Sequence, residues 1–485
     1  MSTKPQNLVV IMSDEHSPKI LGCHGNQNVD TPNLDALAER GTRFSQAYCA
    51  SPVCIPARAS FAVGKYIHEI GYWDNADAYD GRVPSWHHKL RDRGHEVVSI
   101  GKLHFRQPDE DHGFSEEIIP MHVIEGKGDL MGLVRSELPV RKGAYKMAGF
   151  AGPGESQYTF YDREIAARAQ IWLRQAAQRQ ADKPWVLFVS FVCPHFPLTA
   201  PPEHFYRYYE ADLPFPKLYE KSERPTHPYI VDYASSFNYD DYFDQEKVRK
   251  ALAGYYGLCS FLDENIGKVL GVLDDTGLSE NTRVIYTSDH GDNLGARGLW
   301  GKSTLFDEAS AVPMIMAGDE IPVGKVIDTP VSHVDFYPFV LDAVGNVEPD
   351  LRKGFPGTSL FELADGDAPD RNVLVEYHGM GSTSGAFMIR HGVYKYVFYT
   401  RYPCQLFDLE NDPEELVDLG ADPRYADVVR ECHERLLLIC DPIDVDRCAR
   451  ERQQELLVEN GGRDAVIARG DLGFTPAPGA QIAFD

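Results

Sequence analysis

The segment CASPVCIPARASFAVGKY, at residues 49–66, holds two cysteines and an arginine whose spacing suggests chemistry. Pro56 suits the first turn of a helix, so Cys54 is expected at or just before a helix N-terminus. Backbone N–H groups and the helix dipole favour an anion there, either a thiolate or a bound oxyanion. Arg58 can reach back to the same point. A disulfide, a metal site, a thiol nucleophile, a chemically converted cysteine and an ordinary buried thiol all fit this segment.

A second group of residues could hold a divalent cation. Asp14, Asp289 and His290 offer two carboxylates and an imidazole. Oxygen ligands suit Ca²⁺ or Mg²⁺, and the imidazole keeps Mn²⁺ in the set. The alternative is that both aspartates cap helices and that His290 fills a core position. The short motif SDHG does not decide between these interpretations by itself.

Strands and helices alternate along most of the chain. The predicted strands are 7–13, 95–100, 184–191, 282–288 and 312–317, and helical patterns lie at 163–178, about 245–275 and 332–344. This alternation predicts an α/β fold in which a large, mostly parallel sheet is sandwiched by helices.

Polar clusters follow four of these strands. They are SDE at 13–15, GKLHF at 101–105, CPHFP at 193–197 and SDHGD at 288–292. In open α/β sheets, ligands bind beyond the carboxyl ends of the strands. We therefore expect the four clusters to form one site.

The sequence changes in character after about residue 370. We predict a catalytic domain at residues 1–370 and a smaller α+β subdomain at residues 371–485, with an amphipathic helix at 423–439. The last residues, GDLGFTPAPGAQIAFD, are rich in proline and glycine and should not form a helix. We expect this tail either to fray or to pack on a neighbouring subunit.

The composition narrows the class of protein. The 485 residues are 43% hydrophobic and 25% charged, as in ordinary globular proteins. The formal charge of −25 argues against a nucleic-acid or anionic-membrane partner. No apolar run is long enough to cross a membrane, and the short N-terminal run lacks a signal-peptide cleavage site. The odd count of nine cysteines, without a CxxC pair, favours reduced thiols and a cytoplasmic location.

Six motifs together resemble the type I, formylglycine-dependent sulfatase family of the alkaline phosphatase superfamily. They follow the family's order over roughly residues 7–310: Asp14 after the first strand, CIPAR at 54–58 followed by Gly64, GKLH at 101–104, HFPLTAP at 195–201, SDHG at 288–291 and GKSTLFDE at 301–308. Residues after 370, with QLFDLENDPEE, also resemble the smaller C-terminal domain of the family.

The resemblance implies that Cys54 is converted to formylglycine by a formylglycine-generating enzyme. The hydrated aldehyde offers one hydroxyl to attack sulfur and a second to expel sulfate. The implied metal ligands are Asp14, Asp289, His290 and the converted Cys54, with Ca²⁺ favoured and Mn²⁺ or Mg²⁺ as alternatives.

The resemblance also implies the other roles. The substrate is a small anionic sulfate ester, and fixed positive charge must stabilise its oxygens. Lys102 and Lys302 would bind those oxygens, with Asn75 as a further donor. Arg58 would steady the diol oxygen, His104 would act as base and His195 as the acid that protonates the leaving alcohol. Surface lysines and packed histidines are the ordinary alternatives.

Some positions depart from the common family pattern. Glu15 stands where many sulfatases have aspartate, and its role as a ligand is left open. His290 replaces asparagine and Val63 replaces threonine. The pair Asp289–His290 in the SDHG motif resembles the branch of choline sulfatases and phosphonate monoester hydrolases. Resemblance to this branch also implies a homodimer or homotetramer built through the C-terminal tail.

The predicted function is hydrolysis of a small aryl, alkyl or choline-like sulfate ester. The alternatives are a phosphonate monoester or phosphodiester hydrolase, a carbohydrate sulfatase and a non-catalytic protein that binds sulfated ligands. A choline group would need an aromatic and acidic box, for which the candidates are Tyr72, Trp73, Trp300 and Glu376.

Overall fold

The computed structural model describes residues 4–346, 348–365, 370–471 and 473–480. The strands of the described residues are β1 Asn7–Asp14, β2 Gly41–Phe44, β3 Ala47–Tyr48, β4 Val97–Lys102, β5 Glu116–Met121, β6 Gly152–Pro153, β7 Val186–Pro194, β8 Thr199–Ala200, β9 Thr282–Ser288, β10 Met314–Ala317, β11 Lys325–Ile327, β12 Val331–Ser332, β13 Asn372–Tyr377, β14 Ala386–His391, β15 Tyr394–Tyr399 and β16 Gln405–Asp408.

The α-helices of the same residues range from one turn to more than eight turns. They are α1 Pro32–Glu39, α2 Cys54–Val63, α3 Ile67–Ile70, α4 Trp86–Arg91, α5 Gly143–Gly149, α6 Gln157–Ala176, α7 Pro202–Tyr209, α8 Pro228–Phe237, α9 Gln245–Asp275, α10 Asp307–Ser310, α11 Phe336–Ala343, α12 Leu360–Asp365, α13 Ala426–Ile439, α14 Pro442–Glu459 and α15 Arg463–Arg469.

A large mixed sheet forms the centre of the molecule, in the order β11-β2-β10-β9-β1-β7-β4-β5. The five strands from β9 to β5 are parallel to one another, which confirms the predicted α/β fold. The strand predicted at 312–317 is present as β10, but it is antiparallel to β9. The link from β9 to β10 contains only a short 3-10 helix, Ala296–Gly298, and the one-turn helix α10, and an antiparallel neighbour needs no crossover helix.

The central strands are buried on both faces. All eight residues of β1 and all nine of β7 are buried, as expected for parallel strands between helical layers. Helices α6 and α9 pack on each other and on β7, while α2, α4 and α11 pack together elsewhere on the sheet. This enclosure leaves the carboxyl ends of the strands as the place where polar side chains can meet.

A smaller antiparallel sheet, β13-β14-β15-β16, follows the large one in sequence. Helix α13 packs on β14 and β15 and covers most of the helix predicted at 423–439. Helix α14 was not predicted, although its start carries a clear signal. The Asp441 side chain accepts hydrogen bonds from the backbone N–H groups of Ile443 and Asp444, and Pro442 occupies the first turn.

The C-terminal tail neither frays nor reaches away from the chain between residues 473 and 480. Phe474 packs edge-on against Tyr158 and Phe196, and the Ala477 N–H donates a hydrogen bond of 2.7 Å to Gln157 Oε1. Residues 472 and 481–485 lie outside the described part. The tail therefore packs on its own chain, and the predicted dimer or tetramer stays a prediction.

Two bulk expectations can be compared with the structure. All nine cysteines are free thiols, whereas their odd number by itself implies only that at least one is unpaired. Among the described residues, no helix is both long enough and apolar enough to span a bilayer.

Candidate active site

Four strand ends meet at one edge of the large sheet. Asp14 ends β1 and lies in register with Pro194 at the end of β7, directly before His195. Ser13 pairs with Ser288 at the end of β9, directly before Asp289. Lys102 ends β4. The structure thus brings together the polar clusters that the sequence placed after separate strands.

Cys54 is the first residue of α2, as its distance from Pro56 predicted. The whole helix is buried, and no side chain caps its N-terminus. Cys54 Sγ lies 3.1 Å from His290 Nε2 and 3.5 Å from Asp14 Oδ1. Lys302 Nζ donates to the same sulfur over 3.0 Å. The sulfur marks the position from which an oxygen nucleophile would act if the cysteine were converted.

The Cys54 thiol itself is poorly suited to act as an anion. Burial, with the negative charge of Asp14, raises its pKa to about 11 although Lys302 and Lys102 lie nearby. The helix N-terminus alone would favour a thiolate, so burial, helped by the charge of Asp14, decides the protonation state.

Asp14, Asp289, His290 and Cys54 form a candidate metal centre. One ligand atom from each lies within 4.8 Å of the others, and all four residues are buried. Burial alone would raise the pKa of Asp14, but Lys102, His195, Lys302 and Arg58 hold it well below its usual range. The donor set is anionic, rich in oxygen and enclosed, so it fits a divalent cation.

Arg58 braces this centre from inside the protein. Its Nε donates to Asp289 Oδ2 over 2.7 Å, and Nη1 donates to the Lys102 carbonyl and to Ser190 Oγ, each over 2.9 Å. The side chain is 3% exposed. These bonds fix the direction of the Asp289 carboxylate.

Lys302, His195 and Glu15 meet beside the sulfur. Lys302 Nζ lies 2.7 Å from His195 Nε2, and Glu15 Oε2 lies 3.4 Å from each of those nitrogens. Burial raises the pKa of Glu15 well above its usual value. Burial, with the positive charge of Lys302, lowers the pKa of His195 well below its usual value.

His104 lies on the same cavity and contacts the C-terminal tail. Its Nε2 is 2.8 Å from Thr475 Oγ1, and its Nδ1 has no hydrogen-bond partner. Tyr158 donates from its hydroxyl to the Thr475 carbonyl over 2.5 Å. Thr475 is thus a site residue that sequence reasoning missed, because a threonine in a proline-rich end carries no catalytic pattern.

Lys102 and Asn75 line this cavity as well. Lys102 Nζ is ion-paired with Asp14 Oδ2. Asn75 Oδ1 accepts a hydrogen bond of 3.0 Å from the Ile55 N–H at the start of α2. All the predicted site residues therefore lie in or directly around one cavity.

The predicted choline box does not form. Of its four members only Trp300 lines the cavity. Tyr72 donates to Asp80, Trp73 packs edge-on against His378, and Glu376 is buried against His68. Other aromatic side chains line the cavity instead: Tyr158, Phe196, Tyr233, Phe237, Tyr239 and Phe474.

Comparison with known families decides the class of this site. The sequence model described as sulfatase matches residues 6–346, and the model described as N-sulphoglucosamine sulphohydrolase, C-terminal, matches residues 295–440. The chain belongs to the sulfatase family. It is therefore a sulfuric ester hydrolase, and both the recognition made from the six motifs and the prediction of an enzyme are confirmed.

Individual relatives agree with this assignment to the sulfatases. A choline-sulfatase of Rhizobium meliloti (strain 1021) is 33% identical over 87% of this chain and 84% of that protein. The uncharacterized sulfatase YidJ of Escherichia coli (strain K12) is 30% identical over 91% of this chain and 88% of that protein. A phosphonate monoester hydrolase of Agrobacterium radiobacter has the same fold, with a TM-score of 0.71, 23% identity and coverage of 90% and 95% of the two chains.

Sulfatases generally use a metal ion and formylglycine, and this sulfatase has a candidate site for the ion. The enclosed cluster around Asp14 and Asp289 meets that requirement by its donor chemistry.

Proposed function

We propose that this sulfatase hydrolyses a small organic sulfate monoester with formylglycine at position 54. The observation that carries the proposal is the placement of Cys54 Sγ 3.1 Å from His290 Nε2 and 3.0 Å from Lys302 Nζ, at the N-terminus of a buried helix. A residue placed there faces both the metal ligands and a fixed cation. The hydrated aldehyde would supply one hydroxyl to attack sulfur and another to release sulfate.

Asp14, Asp289 and His290 would hold one divalent cation, together with the converted residue 54. The two carboxylates favour Ca²⁺, with Mn²⁺ or Mg²⁺ as alternatives. A bound cation would act as a Lewis acid on the reacting oxygens. The close pairing of Lys102 with Asp14 would then be relaxed, because a cation at Asp14 repels the ammonium group and leaves it for the sulfate oxygens.

The remaining side chains divide between charge stabilisation and proton transfer. Lys102 and Lys302 would bind sulfate oxygens, and Asn75 would add a donor from the wall of the cavity. Arg58 would act mainly by orienting Asp289 and by steadying the diol oxygen. His195 would protonate the leaving alcohol and His104 would take the proton during sulfate release.

The organic half of the substrate would occupy the aromatic part of the cavity. Rings such as Tyr158, Trp300 and Phe474 offer an apolar surface that also attracts cations. This wall favours an aryl, alkyl or choline-like group over a large, strongly polar one. A panel of such esters, together with sulfated sugars, monitored by sulfate release would rank them and test the carbohydrate-sulfatase alternative.

Mass spectrometry of the peptide that spans Cys54 tests the nucleophile. Conversion to formylglycine lowers the cysteine mass by about 18 Da. The Cys54→Ala variant should lose activity by about 10³-fold or more, whereas Cys49→Ala, at a buried cysteine in the same segment, should retain it. A fully active enzyme with an unmodified thiol at position 54 would refute the proposal.

Rates on an aryl sulfate and an aryl phosphonate test the substrate class. The Lys102 and His104 pair supports sulfate, because the family resemblance implies that phosphonate monoester hydrolases lack such a pair, and here both side chains line the cavity with residue 54. We expect the higher kcat/KM for the sulfate. A large preference for the phosphonate would favour the alternative, a phosphonate monoester hydrolase with the same nucleophile and metal.

A further inference from the structure

Three side chains outside the catalytic cavity form a second cluster of metal-ligand type. They are His112, Glu117 and His122, and one ligand atom from each lies within 4.8 Å of the others. Glu117 belongs to β5, and the two histidines lie just before and just after that strand. The cluster therefore comes from one short stretch of chain at the edge of the large sheet.

Both imidazoles converge on one carboxylate. Glu117 Oε1 lies 2.9 Å from His112 Nδ1, and Glu117 Oε2 lies 3.4 Å from His122 Nε2. The two rings are 5.4 Å apart between centroids. Nitrogen and oxygen atoms at these separations can bind a common ion after small side-chain rotations, because the ligand atoms of a tetrahedral ion lie about 3.3 Å apart at Zn–N distances of about 2.0 Å.

The cluster holds buried polar atoms that the protein itself leaves unpaired. His122 Nδ1 lacks a hydrogen-bond partner, and His122 Nε2 has only the 3.4 Å approach to Glu117, although the His122 side chain is only 8% exposed. The Nε2 atom of His112, whose side chain is 0% exposed, also lacks one. Glu110 Oε2 is likewise unpaired, and it lies 3.9 Å from that nitrogen. A buried polar group without a partner destabilises the folded chain, so a bound ligand is the expected partner.

We propose that His112, Glu117 and His122 bind a divalent transition-metal ion, with zinc as the preferred ion. Two imidazoles and a carboxylate suit zinc, whereas Ca²⁺ and Mg²⁺ prefer oxygen ligands. The catalytic centre has the opposite balance, with two carboxylates and one imidazole. The two sites therefore differ in the kind of ion that they select.

An ion at this cluster would brace one wall of the catalytic cavity. The Met121 carbonyl, next to His122, accepts a hydrogen bond of 2.7 Å from the His104 N–H. The Phe105 ring lies 5.1 Å from the His112 ring. The role of the ion is structural, and its loss should lower the thermal stability of this region.

Calorimetric titration of the full-length protein with Zn²⁺, in saturating Ca²⁺, tests the proposal. The wild type should bind one zinc ion more per chain than the His122→Gln or Glu117→Gln variant, and zinc should raise the Tm of the wild type alone. His204→Gln is the matched control, because His204 pairs with Glu264 over 3.3 Å. In the described part of the chain, His204 belongs to no group of three metal-binding side chains.

Cobalt binding to the wild type keeps the test valid if a variant fails to fold. Co²⁺ held by imidazole and carboxylate should give visible absorption without a thiolate charge-transfer band. With the catalytic centre, which includes Cys54, occupied by saturating Ca²⁺, a thiolate band would assign the cobalt ion to cysteines and overturn the proposal. Equal zinc binding by the wild type and folded His122→Gln, or no zinc binding at all, would also overturn it and leave an ion-pair network. Activity is not measured, so failure here is distinguishable from failure of the sulfatase mechanism.

Discussion

At the scale of the residue, we propose that His195 transfers a proton to the leaving group. Its Nε2 faces Lys302 and Glu15, while its Nδ1 lies 2.6 Å from the Phe196 carbonyl. That carbonyl can only accept, so Nδ1 carries a proton and Nε2 is the atom that exchanges one with the cavity. In the free protein Nε2 faces the Lys302 ammonium, and burial together with that charge lowers the pKa of His195. A sulfate ester bound to Lys302 would offset the positive charge and favour the protonated imidazole that an acid needs.

The His195→Asn substitution should therefore discriminate between leaving groups. We expect kcat/KM for an alkyl sulfate to fall by about 10²–10⁴-fold, because an alkoxide needs a proton to leave. The loss for para-nitrophenyl sulfate should be about tenfold or less, since nitrophenolate leaves without one. Steady-state kinetics on both esters measures the difference, with His204→Asn as the control. Equal losses on the two esters would remove His195 from this role.

Also at the residue scale, Glu376 is a buried charged side chain whose role is structural. The cation of His68 and the hydrogen bond from His378 lower its pKa to about 2 against the effect of burial. Burial alone would lower the pKa of His68, but the neighbouring Glu376 raises it above its usual value. The pair belongs to the packing of α3 on β13, away from the cavity.

The stabilising effect of this pair should depend on pH. Because the folded pKa of His68 is raised, its contribution is complete below the unfolded value of 6.5 and is lost as the pH rises through the folded value. Glu376 stays ionised above its unfolded value of 4.5. Glu376→Gln should thus cost about 1–3 kcal/mol at pH 5.5 and clearly less at pH 8.5.

Urea unfolding at the two pH values measures this cost. Glu264→Gln is the control, because burial lowers the pKa of the neighbouring His204 despite Glu264. Its effect should be small at both pH values. A cost for Glu376→Gln that is equal at pH 5.5 and 8.5 would show that His68 is not charged by the pair.

At the scale of the element, the C-terminal tail forms a wall of the catalytic cavity. Thr475 contacts His104 through its hydroxyl and Tyr158 through its carbonyl, and Phe474 packs on Tyr158 and Phe196. Helix α14 precedes the tail in the chain and is fixed to the rest of the protein. Its Gln453 Nε2 donates to the His378 carbonyl over 2.6 Å and to Asp74. The tail thus acts in the same chain as the cavity that it covers.

A chain that ends at Asp471 should keep its fold and lose part of its activity. Removal of the wall should reduce kcat/KM by about tenfold or more, since the substrate and His104 lose their positioning. Thr475→Val is the matched variant, which removes only the hydroxyl and should reduce kcat by a smaller factor. Steady-state kinetics tests the role of the wall, and light scattering tests whether the tail holds an oligomer together. Unchanged kinetics would contradict a role for the wall, and an unchanged mass in solution would reject the predicted oligomerisation arm.

At the scale of the whole molecule, buried charges join the two sheets. Lys395 of β15 is 0% exposed and contacts Asp307 of α10 over 2.8 Å and Glu415 over 2.7 Å. Helix α10 follows the segment that carries Lys302, so this network ties the small sheet to the catalytic edge of the large one. We infer that the predicted parts 1–370 and 371–485 unfold together.

The Lys395→Met substitution should destabilise the whole chain. It leaves the buried Glu415 and the partly buried Asp307 without their shared cation, which costs about 3–5 kcal/mol. Lys268→Met is the control, because its pair with Glu264 is 42% and 52% exposed and should contribute less than about 1 kcal/mol. Urea unfolding followed by two probes, one for each sheet, measures both effects. Separate transitions in the wild type would contradict cooperative unfolding.

The sequence by itself determined the fold class and predicted most of the residues that gather at the candidate site. Continuous apolar runs predict buried strands such as 7–13 and 282–288. The polar residues that follow these strands must meet at one sheet edge. Cys54 could be placed at a helix start from Pro56 alone. These features depend on neighbours in the chain, so a linear pattern records them.

Only the tertiary structure decided how distant segments meet. The contact of Thr475 with His104, the burial of Glu376 against His68 and the antiparallel direction of β10 join residues far apart in sequence. Aromatic residues near the motifs suggested a box that packing did not form. Such contacts depend on the packing of whole elements against one another, and no local spacing of side chains encodes them.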